Sequence, residues 1–353
     1  MKTKGKIKRV LTLFLCFLMA VAFIACSSSQ PATSVPGFVV GQNPSGIAID
    51  ADGNLWIAEL GSNAVTKLTS GEAVLGTFPV GSNPNAIAID AAGNVWVPNQ
   101  GSNTVTELNS SGTLLHTYSL GTALGTAIAP VAIAIDASGN VWVANQGSDN
   151  VSEINPGTQA VLGPFPVGLG PAGLAIDNSG NVWVANFGSG LTASNTVTEL
   201  NSSGTLIGTF TVGYGPVGLA IDSFGNVWVA NQGYADAPGN TVTELKSNGA
   251  VIGTFTGTVG SEPVGLAIDN SGNVWVANKG NSTVTELSSS GAVLDTFTVG
   301  TGPTSIAIDS SGNVWIANFG SNSVSLLATA TKGPEFFPYG GVDGLVGSPV
   351  WPY

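Results

Sequence analysis

The sequence predicts an all-β protein, a seven-bladed β-propeller of four-stranded antiparallel blades, from three observations. The segment IAIDADGNLWIAELGSNAVTKL at residues 47–68 recurs seven times, with its aspartates 40 to 47 residues apart, and self-similarity at this period is typical of repeat architectures. Each copy contains short runs of strand-forming residues bounded by turn residues. After the first thirty residues, no long stretch shows the apolar spacing of an amphipathic helix.

Residues 76–120 show how one repeat forms a blade. Four runs can be read as strands A (AIAID), B (NVWVPN), C (TVTELN) and D (LLHTYSL). Strands A and B are joined by Asp–x–x–Gly in every copy, where Asp caps the turn and Gly supplies the positive φ that closes it. These aspartates lack the ligand density of a calcium loop, so we interpret them as turn caps. They are Asp50, Asp90, Asp136, Asp177, Asp222, Asp269 and Asp309.

Every strand B has one tryptophan at its centre. A row of tryptophans could stack on sugars or cations. A binding row would not need one ring per blade at the same depth, so we predict that they fill the gaps between blades. They are Trp56, Trp96, Trp142, Trp183, Trp228, Trp275 and Trp315.

The ring needs a strand from outside the seventh copy to close. Copy seven, at residues 303–328, has strands A, B and C but no clear strand D. The segment GFVVGQNP at 37–44 matches the end of a strand D without a preceding A, B and C. We therefore predict that 38–40 closes blade seven and leaves no open edge, while residues 335–339 compete for the same place. The propeller is assigned to 37–330, and 331–353 to a Pro/Gly/aromatic tail packed on it.

The first 36 residues have the pattern of an export signal and a tether. Five of the nine basic residues stand in the first ten positions, followed by an apolar run that ends before Cys26. This pattern predicts a signal peptide at 1–25, and 26–36 is interpreted as a flexible tether. FIAC resembles the lipobox of bacterial lipoproteins, which implies lipidation of Cys26; simple secretion is the alternative. The predicted location is the bacterial cell envelope, either periplasmic or surface-exposed.

Removal of residues 1–25 makes the chain strongly acidic. Four basic residues remain against 21 acidic ones, a net charge near −17. A surface of this sign repels phosphate backbones, so nucleic acid is excluded as a partner. We expect a monomer that meets the membrane only through its anchor.

The repeat resembles the NHL-repeat and streptogramin (virginiamycin B) lyase group of propellers, which share P–x–G–I–A–x–D–x–x–G–N–x–W in each blade. The resemblance covers about residues 37–330 and implies a magnesium-assisted elimination on cyclic peptide lactones, with a histidine between Pro and Gly in the catalytic blade. In this sequence those positions hold Ser, Asn, Val, Ala, Gly or Thr, and the single histidine, His116, falls on an outer strand D. Elimination needs a group that takes and returns protons, so no catalytic residue is assigned.

The residue that ends strand B is the candidate metal ligand. A ring of one carboxylate and six amides at the channel mouth could hold Ca²⁺ or Mg²⁺, and lactonases of related fold are similar in using a Glu/Asn/Asp calcium site. The alternative is that Asn is an ordinary corner residue here. The candidates are Glu59, Asn99, Asn145, Asn186, Asn231, Asn278 and Asn318.

Insertions indicate which face is used. Three departures from the repeat, at 121–130, 187–195 and 232–240, fall in D–A or B–C loops, and insertions in repeat proteins map to loops on one face, often the binding face. Phe187, Tyr214 and Tyr234 add aromatic surface to these loops. By contrast, we expect the repeated strand C glutamates to decorate the outer blade surface; they are Glu107, Glu153, Glu199, Glu244 and Glu286.

Scarcity of acids, bases and nucleophiles near the channel favours a non-catalytic function. We predict an extracytoplasmic module that binds a small molecule, a glycan or a protein on the face with the B–C and D–A loops. The alternative is a metal-dependent enzyme at the channel mouth, either a lactonase-like hydrolase centred on Glu59 or a degenerate streptogramin-type lyase.

Overall fold

The computed structural model describes residues 37–121, 128–190, 192–234 and 237–328. The predicted signal peptide, Cys26, the tether and the tail at 331–353 lie outside these residues. In the described part of the chain, no helix is long and apolar enough to cross a membrane.

Twenty-eight strands form seven four-stranded antiparallel sheets, as the repeat predicts. Blades one to three contain β2 Pro44–Ile49, β3 Leu55–Glu59, β4 Ala64–Leu68 and β5 Val74–Pro79; β6 Ala88–Ile89, β7 Val95–Asn99, β8 Thr104–Leu108 and β9 Leu114–Ser119; and β10 Pro130–Ile135, β11 Val141–Asn145, β12 Asn150–Asn155 and β13 Ala160–Pro166. Blades four and five contain β14 Pro171–Ile176, β15 Val182–Ser189, β16 Thr192–Leu200 and β17 Leu206–Thr211; and β18 Pro216–Ile221, β19 Val227–Tyr234, β20 Ala237–Leu245 and β21 Val251–Thr256. Blade six contains β22 Pro263–Ile268, β23 Val274–Asn278, β24 Thr283–Leu287 and β25 Val293–Thr298, and blade seven contains β26 Pro303–Ile308, β27 Val314–Asn318 and β28 Ser323–Leu327.

The N-terminal strand closes the ring, as predicted. β1 (Phe38–Val39) pairs antiparallel with β28, with Phe38 opposite Val324. Its phenyl ring meets Trp315 edge-on at 6.2 Å between centroids. Blade seven is thus built from both ends of the described chain, which holds the first and last blades together.

The core lies between consecutive blades, and the tryptophans occupy it as predicted. Trp56 of blade one has no exposed surface and packs with Ile87, Val95 and Val97 of blade two. It also packs against Phe78 of its own strand D, with 5.6 Å between ring centroids. The same arrangement recurs around the ring, so burial of large aromatic surface is the main source of stability.

The A–B turn fixes each tryptophan as well as the hairpin. Asp50 Oδ1 accepts hydrogen bonds from the backbone N–H groups of Asp52 (3.1 Å) and Asn54 (2.8 Å), and Gly53 has a φ of 79°. Asp50 Oδ2 accepts the indole N–H of Trp56 at 3.0 Å. The predicted capping role is confirmed, and the indole contact adds a link that the turn chemistry alone did not predict.

Candidate functional site

The B–C corners and D–A loops lie together on one face of the propeller. Backbone hydrogen bonds join them within each blade, for example from Gly101 N to Ser82 O at 2.9 Å and from Gly233 N to Tyr214 O at 3.0 Å. The A–B and C–D turns occupy the opposite face. Insertions in B–C and D–A loops therefore change the same surface.

The asparagines that end strand B point into their own blades. All six are at most 1% exposed, and each amide N–H donates to side-chain oxygens on strand C. In blade two, Asn99 Nδ2 donates to Thr104 Oγ1 at 3.1 Å and to Thr106 Oγ1 at 2.9 Å. Equivalent bonds are made by Asn145, Asn186, Asn231, Asn278 and Asn318.

The other end of this side chain lies against a glycine of the D–A loop. Gly168 N donates to Asn186 Oδ1 at 3.1 Å, and in blade one Gly41 N donates to Glu59 Oε1 at 2.8 Å. A Cβ added at Gly81 would lie 2.6 Å from Asn99 Cγ, so the loop needs glycine to approach the amide. Asn186 therefore links strand C to the D–A loop. The Oδ1 atoms of the other five asparagines are buried without a hydrogen-bond partner among the described residues.

The metal hypothesis for these seven positions stays a prediction. The amide N–H groups of the six asparagines are bonded within their own blades, whereas five of the six Oδ1 atoms have no hydrogen-bond partner among the described residues. Among the described residues, no group of three or more His, Cys, Asp or Glu side chains is placed to hold a metal ion. A calcium site here would need amide and backbone oxygens beside the Glu59 carboxylate.

The residue directly after the asparagine, rather than the asparagine itself, faces its equivalents in neighbouring blades. Gln100 Nε2 donates to Gln146 Oε1 of the next blade at 3.4 Å, and Lys279 Nζ lies 6.0 Å from the centre of the Phe319 ring. Successive strand residues point to opposite sides, and this alternation is the signal that could have identified the position from sequence. We call these seven residues the mouth ring: Leu60, Gln100, Gln146, Phe187, Gln232, Lys279 and Phe319.

Blades two to five form a cleft beside the mouth ring. It has a volume of about 320 Å³ and is lined by Gln100, Gln146, Gly147, Phe187, Gly188, Ser189, Gly190 and Tyr234. The rings of Phe187 and Tyr234 pack at 5.1 Å between centroids, tilted by 49°. The Tyr234 hydroxyl donates to the Gly190 carbonyl and so ties the hairpins of blades four and five together.

Two of the three predicted aromatic loop residues therefore meet in one cleft. Tyr214 is the third; it is 62% exposed and its carbonyl is bonded to Gly233, next to Tyr234. The insertions at 187–195 and 232–240 lengthen the B–C hairpins that flank the cleft, since their strands have eight and nine residues where blade one has five. The third insertion, at 121–130, lies mostly outside the described residues.

Lys279 brings a positive charge to the mouth ring. Burial lowers the pKa of its ammonium group, and the nearby carboxylate of Glu262 opposes that shift. The ammonium group also lies above the Phe319 ring, an arrangement that stabilises a cation.

On the opposite face, the expectation for the strand C glutamates is wrong. Glu107, Glu153, Glu199 and Glu244 are 3–8% exposed rather than displayed on the blade surface. Each lies opposite the tryptophan of its blade, as Glu199 does opposite Trp183. Strand C is an inner strand covered by the next blade, so even a charged side chain there becomes buried.

Each of these glutamates lies near the turn aspartate of its blade, so two carboxyl groups occupy the same site. In blade four, Asn181 Nδ2 donates both to Asp177 Oδ2 and to Glu199 Oε1, each at 3.1 Å. Burial, followed by the Asp177 charge, raises the pKa of Glu199 to about 7. Burial also raises the pKa of Glu107, Glu153 and Glu244.

Blade one replaces the carboxylate pair by an ion pair. Lys67 Nζ lies 3.0 Å from Asp50 Oδ2 and donates to the Ser110 carbonyl at 2.9 Å. Burial acts to raise the pKa of Asp50, but hydrogen bonds from Asn54, Lys67 and Trp56 outweigh it and lower the value. Lys67 thus compensates a buried aspartate and serves the fold.

His116 lies in β9, the outer strand of blade two, as the sequence predicts. Its ring packs against Tyr118 at 4.3 Å between centroids, and it stands opposite Glu107 in the strand register. Outer strands are the most distant from the central channel, so this histidine does not line the cleft.

Fold and site together define a seven-bladed propeller of NHL-type repeats with a cleft on its B–C/D–A face. The NHL repeat matches residues 261–287. The Virginiamycin B lyase family matches residues 31–235, more than half of the chain, and the protein belongs to this family. Comparison with curated protein sequences gives no match.

Solved structures share the fold at low sequence identity. A streptogramin B lyase is 16% identical with a TM-score of 0.72, and the match covers 83% of this chain and 96% of the lyase. A catalytically inactive histidine-to-alanine variant of virginiamycin B lyase from Staphylococcus aureus, solved with quinupristin, is 15% identical with a TM-score of 0.70 over 83% and 98% of the two chains. The extracellular domain of a hybrid two-component system from B. thetaiotaomicron is 16% identical with a TM-score of 0.65 over 83% and 40%. At these identities the similarity establishes the fold.

Proposed function

We propose that the protein is a non-catalytic binding module of the bacterial cell envelope that holds its ligand in the cleft of blades two to five. The observation that carries the proposal is the joining of Gln100, Gln146, Phe187 and Tyr234 in one concave site. A volume of about 320 Å³ lies at the lower end of the range of ligand pockets, and an apolar wall with a few polar groups is typical of such sites.

The residues that line the cleft favour binding over catalysis. Glutamine and glycine neither donate nor accept protons at neutral pH, and the Tyr234 hydroxyl is bonded to a carbonyl. General acid–base catalysis needs a titratable group within hydrogen-bond reach of the reacting atoms. His116, which has the ordinary chemistry for that role, belongs to an outer strand.

The alternative is a metal-dependent enzyme centred on Glu59. Family membership favours it, together with the replacement of asparagine by a carboxylate at this one position. The Glu59 carboxylate is buried and accepts a hydrogen bond from Gly41 N at 2.8 Å, so this bond to the D–A loop has to be lost or shared when a metal binds.

Quinupristin, which the solved lyase variant holds, separates the two functions. The purified full chain is incubated with it, with and without Mg²⁺ or Ca²⁺, and the product mass is measured. A binding module returns quinupristin unchanged under every condition. Ring opening that needs metal and disappears in Glu59→Gln would establish the enzyme and refute the proposal.

The cleft itself is tested by removing part of its wall. Deletion of residues 188–194 shortens the hairpin of β15 and β16 and removes two backbone bonds to D–A loops, from Gly188 N to Leu169 O and from Gly215 N to Ser194 O; the strand pairs from Asn186 to Val182 stay, so the protein is expected to fold. Any ligand found by thermal shift should lose affinity at least tenfold in this variant. Unchanged affinity in a folded deletion variant would place the ligand elsewhere.

The location is proposed to be the cell envelope, with a lipid on Cys26. β1 runs antiparallel to β28 and leads into the D–A loop through Val40, so the chain enters the propeller from the face opposite the cleft. Labelled palmitate should be incorporated by the wild-type chain and not by Cys26→Ser; equal labelling of both would refute the anchor.

A further inference from the structure

Three of the seven mouth-ring residues are glutamines, and they extend an arc of amides around the cleft. Asn85 Nδ2 donates to Gln100 Oε1 at 3.3 Å, and Gln100 Nε2 donates to Gln146 Oε1 at 3.4 Å. Because its carbonyl oxygen receives Gln100, Gln146 offers a ligand its NH₂ donors. An ordered series of amides presents neutral donors and acceptors at fixed positions.

Gln232 continues the arc in blade five with an acceptor that lacks a partner. Its side chain is 8% exposed, and its Oε1 atom makes no hydrogen bond to the described residues. Buried polar atoms are almost always hydrogen-bonded, since an unpaired one costs free energy. This atom is buried two residues from Tyr234 on the same strand, and Gln232 does not line the cleft, so a ligand in the cleft reaches it only after a change of rotamer.

An aromatic wall faces these amides. The Tyr234 hydroxyl is bonded to Gly190, which leaves the body of the ring as the part that a ligand can contact. Phe187 supports it from the neighbouring blade, and Tyr214 stands exposed beside it. The packed, tilted rings form one wall rather than the several walls of an aromatic cage.

The absence of charge on the cleft lining restricts the ligand further. None of its eight residues is ionised at neutral pH. An anion would be repelled by the net negative charge of the chain, and a cation would find no carboxylate among the lining residues. A neutral ligand with one apolar face and several hydroxyl groups fits these conditions.

We propose that the cleft binds a neutral saccharide, a deepening that rests on the binding function proposed above. The Phe187–Tyr234 wall contacts the C–H face of a pyranose ring, while Gln100 and Gln146 bond its hydroxyl groups. An aromatic residue supplies both a large contact area and low entropic cost on binding. The volume of about 320 Å³ admits a short saccharide.

Isothermal titration of the full chain tests the proposal with maltotriose, cellotriose, mannobiose and diacetylchitobiose as probes. At least one should bind with a heat that vanishes, or an affinity that falls at least tenfold, in Phe187→Ala and in Gln146→Ala. Phe319→Ala is the matched control, since it removes the same ring at the same position of blade seven, outside the cleft. Melting curves of all variants show whether each is folded.

Choline chloride and quinupristin serve as the rival probes. Binding of either that depends on Phe187, with no saccharide bound, overturns the saccharide assignment and leaves the proposed binding function intact. Saccharide binding that survives both cleft variants overturns the site. If no probe binds, both the saccharide assignment and the cleft as a small-molecule site are refuted.

Discussion

Replacement of Glu199 by glutamine should stabilise the protein at neutral and alkaline pH. Glu199 is 3% exposed, lies opposite Trp183, and shares the Asn181 amide with Asp177. Burial and the Asp177 charge raise its pKa from 4.5 to about 7. Glutamine keeps the size of the side chain and the oxygen that accepts from Asn181, but it carries no charge.

The magnitude follows from the linkage between proton binding and folding. The folded-state pKa lies above the unfolded value, so the unfolded chain releases this proton first as the pH rises. The contribution to stability is fully present below about pH 4.5 and is lost as the pH rises through about 7. A shift of this size corresponds to roughly 3 kcal/mol, and solvent screening reduces the expected effect to about 1–2 kcal/mol.

Urea unfolding of wild type and Glu199→Gln between pH 4.5 and 8.5 measures the difference. The two proteins should have nearly equal stability at the acid end, and the variant should gain about 1–2 kcal/mol at the alkaline end. Glu72→Gln is the control, since Glu72 lies exposed on a C–D turn and should change stability by less than about 0.5 kcal/mol throughout. A variant that is less stable than wild type at pH 8 would refute the reasoning.

Three further substitutions test how the blades are held together. Asp309→Ala removes the turn cap and the acceptor of the Trp315 indole N–H; we expect a loss of about 2–3 kcal/mol in urea unfolding, and a loss below about 0.5 kcal/mol would contradict the capping role. Asn278→Ala deletes the amide that donates to Thr283 and Thr285, with an expected cost of about 1–3 kcal/mol and no change in the affinity of a ligand bound in the cleft; a selective loss of that affinity would show that the asparagine serves the site. Phe38→Ala weakens ring closure at Trp315, and should cost about 2–3 kcal/mol and speed hydrogen exchange in β28 more than in β4; uniform exchange rates would argue against closure through β1.

The fold could be predicted from the sequence because the same strand-and-turn pattern occurs in seven copies. Asp50 and Gly53 form a turn that local sequence alone predicts. A tryptophan equivalent to Trp56 occupies the centre of strand B in every blade. Ring closure by the strand that contains Phe38 could also be predicted, since the sequence of copy seven has no strand D. Every one of these inferences depends on local geometry or on counting copies.

The burial of the strand C glutamates could not be predicted from sequence in the same way. Glu199 lies two residues after Val197 and so on the same side of strand C, but a charged side chain is expected to be exposed, and the packing of the next blade covers it. The cost of that burial is visible in its raised pKa and in the bridging amide of Asn181. Sequence periodicity records which side of a strand a residue faces but not what lies beyond that side.

The cleft lies on the face that the sequence analysis proposed for binding, and it includes two of the residues named there, Phe187 and Tyr234. Phe187 and Tyr234 were identified because insertions mark them, whereas Gln100 and Gln146 were missed although each directly follows an asparagine that was singled out. The asparagine is recognisable in the sequence because it ends strand B in six of the seven blades. Its regularity reflects hydrogen bonds to strand C, as the bonds of Asn99 show.

Variation among the copies is therefore the better guide to function in this propeller. A position that supports the fold must satisfy the same contacts in every blade, and asparagine does so six times. The mouth ring changes residue type from blade to blade, with Leu60, Phe187 and Phe319 apolar, three glutamines, and one lysine at position 279. The repeated contacts within a blade do not call for this variation in residue type. The mouth ring therefore gives a nearly symmetric scaffold an asymmetric surface. Such an asymmetric surface suits the ligand that we propose for the cleft of blades two to five.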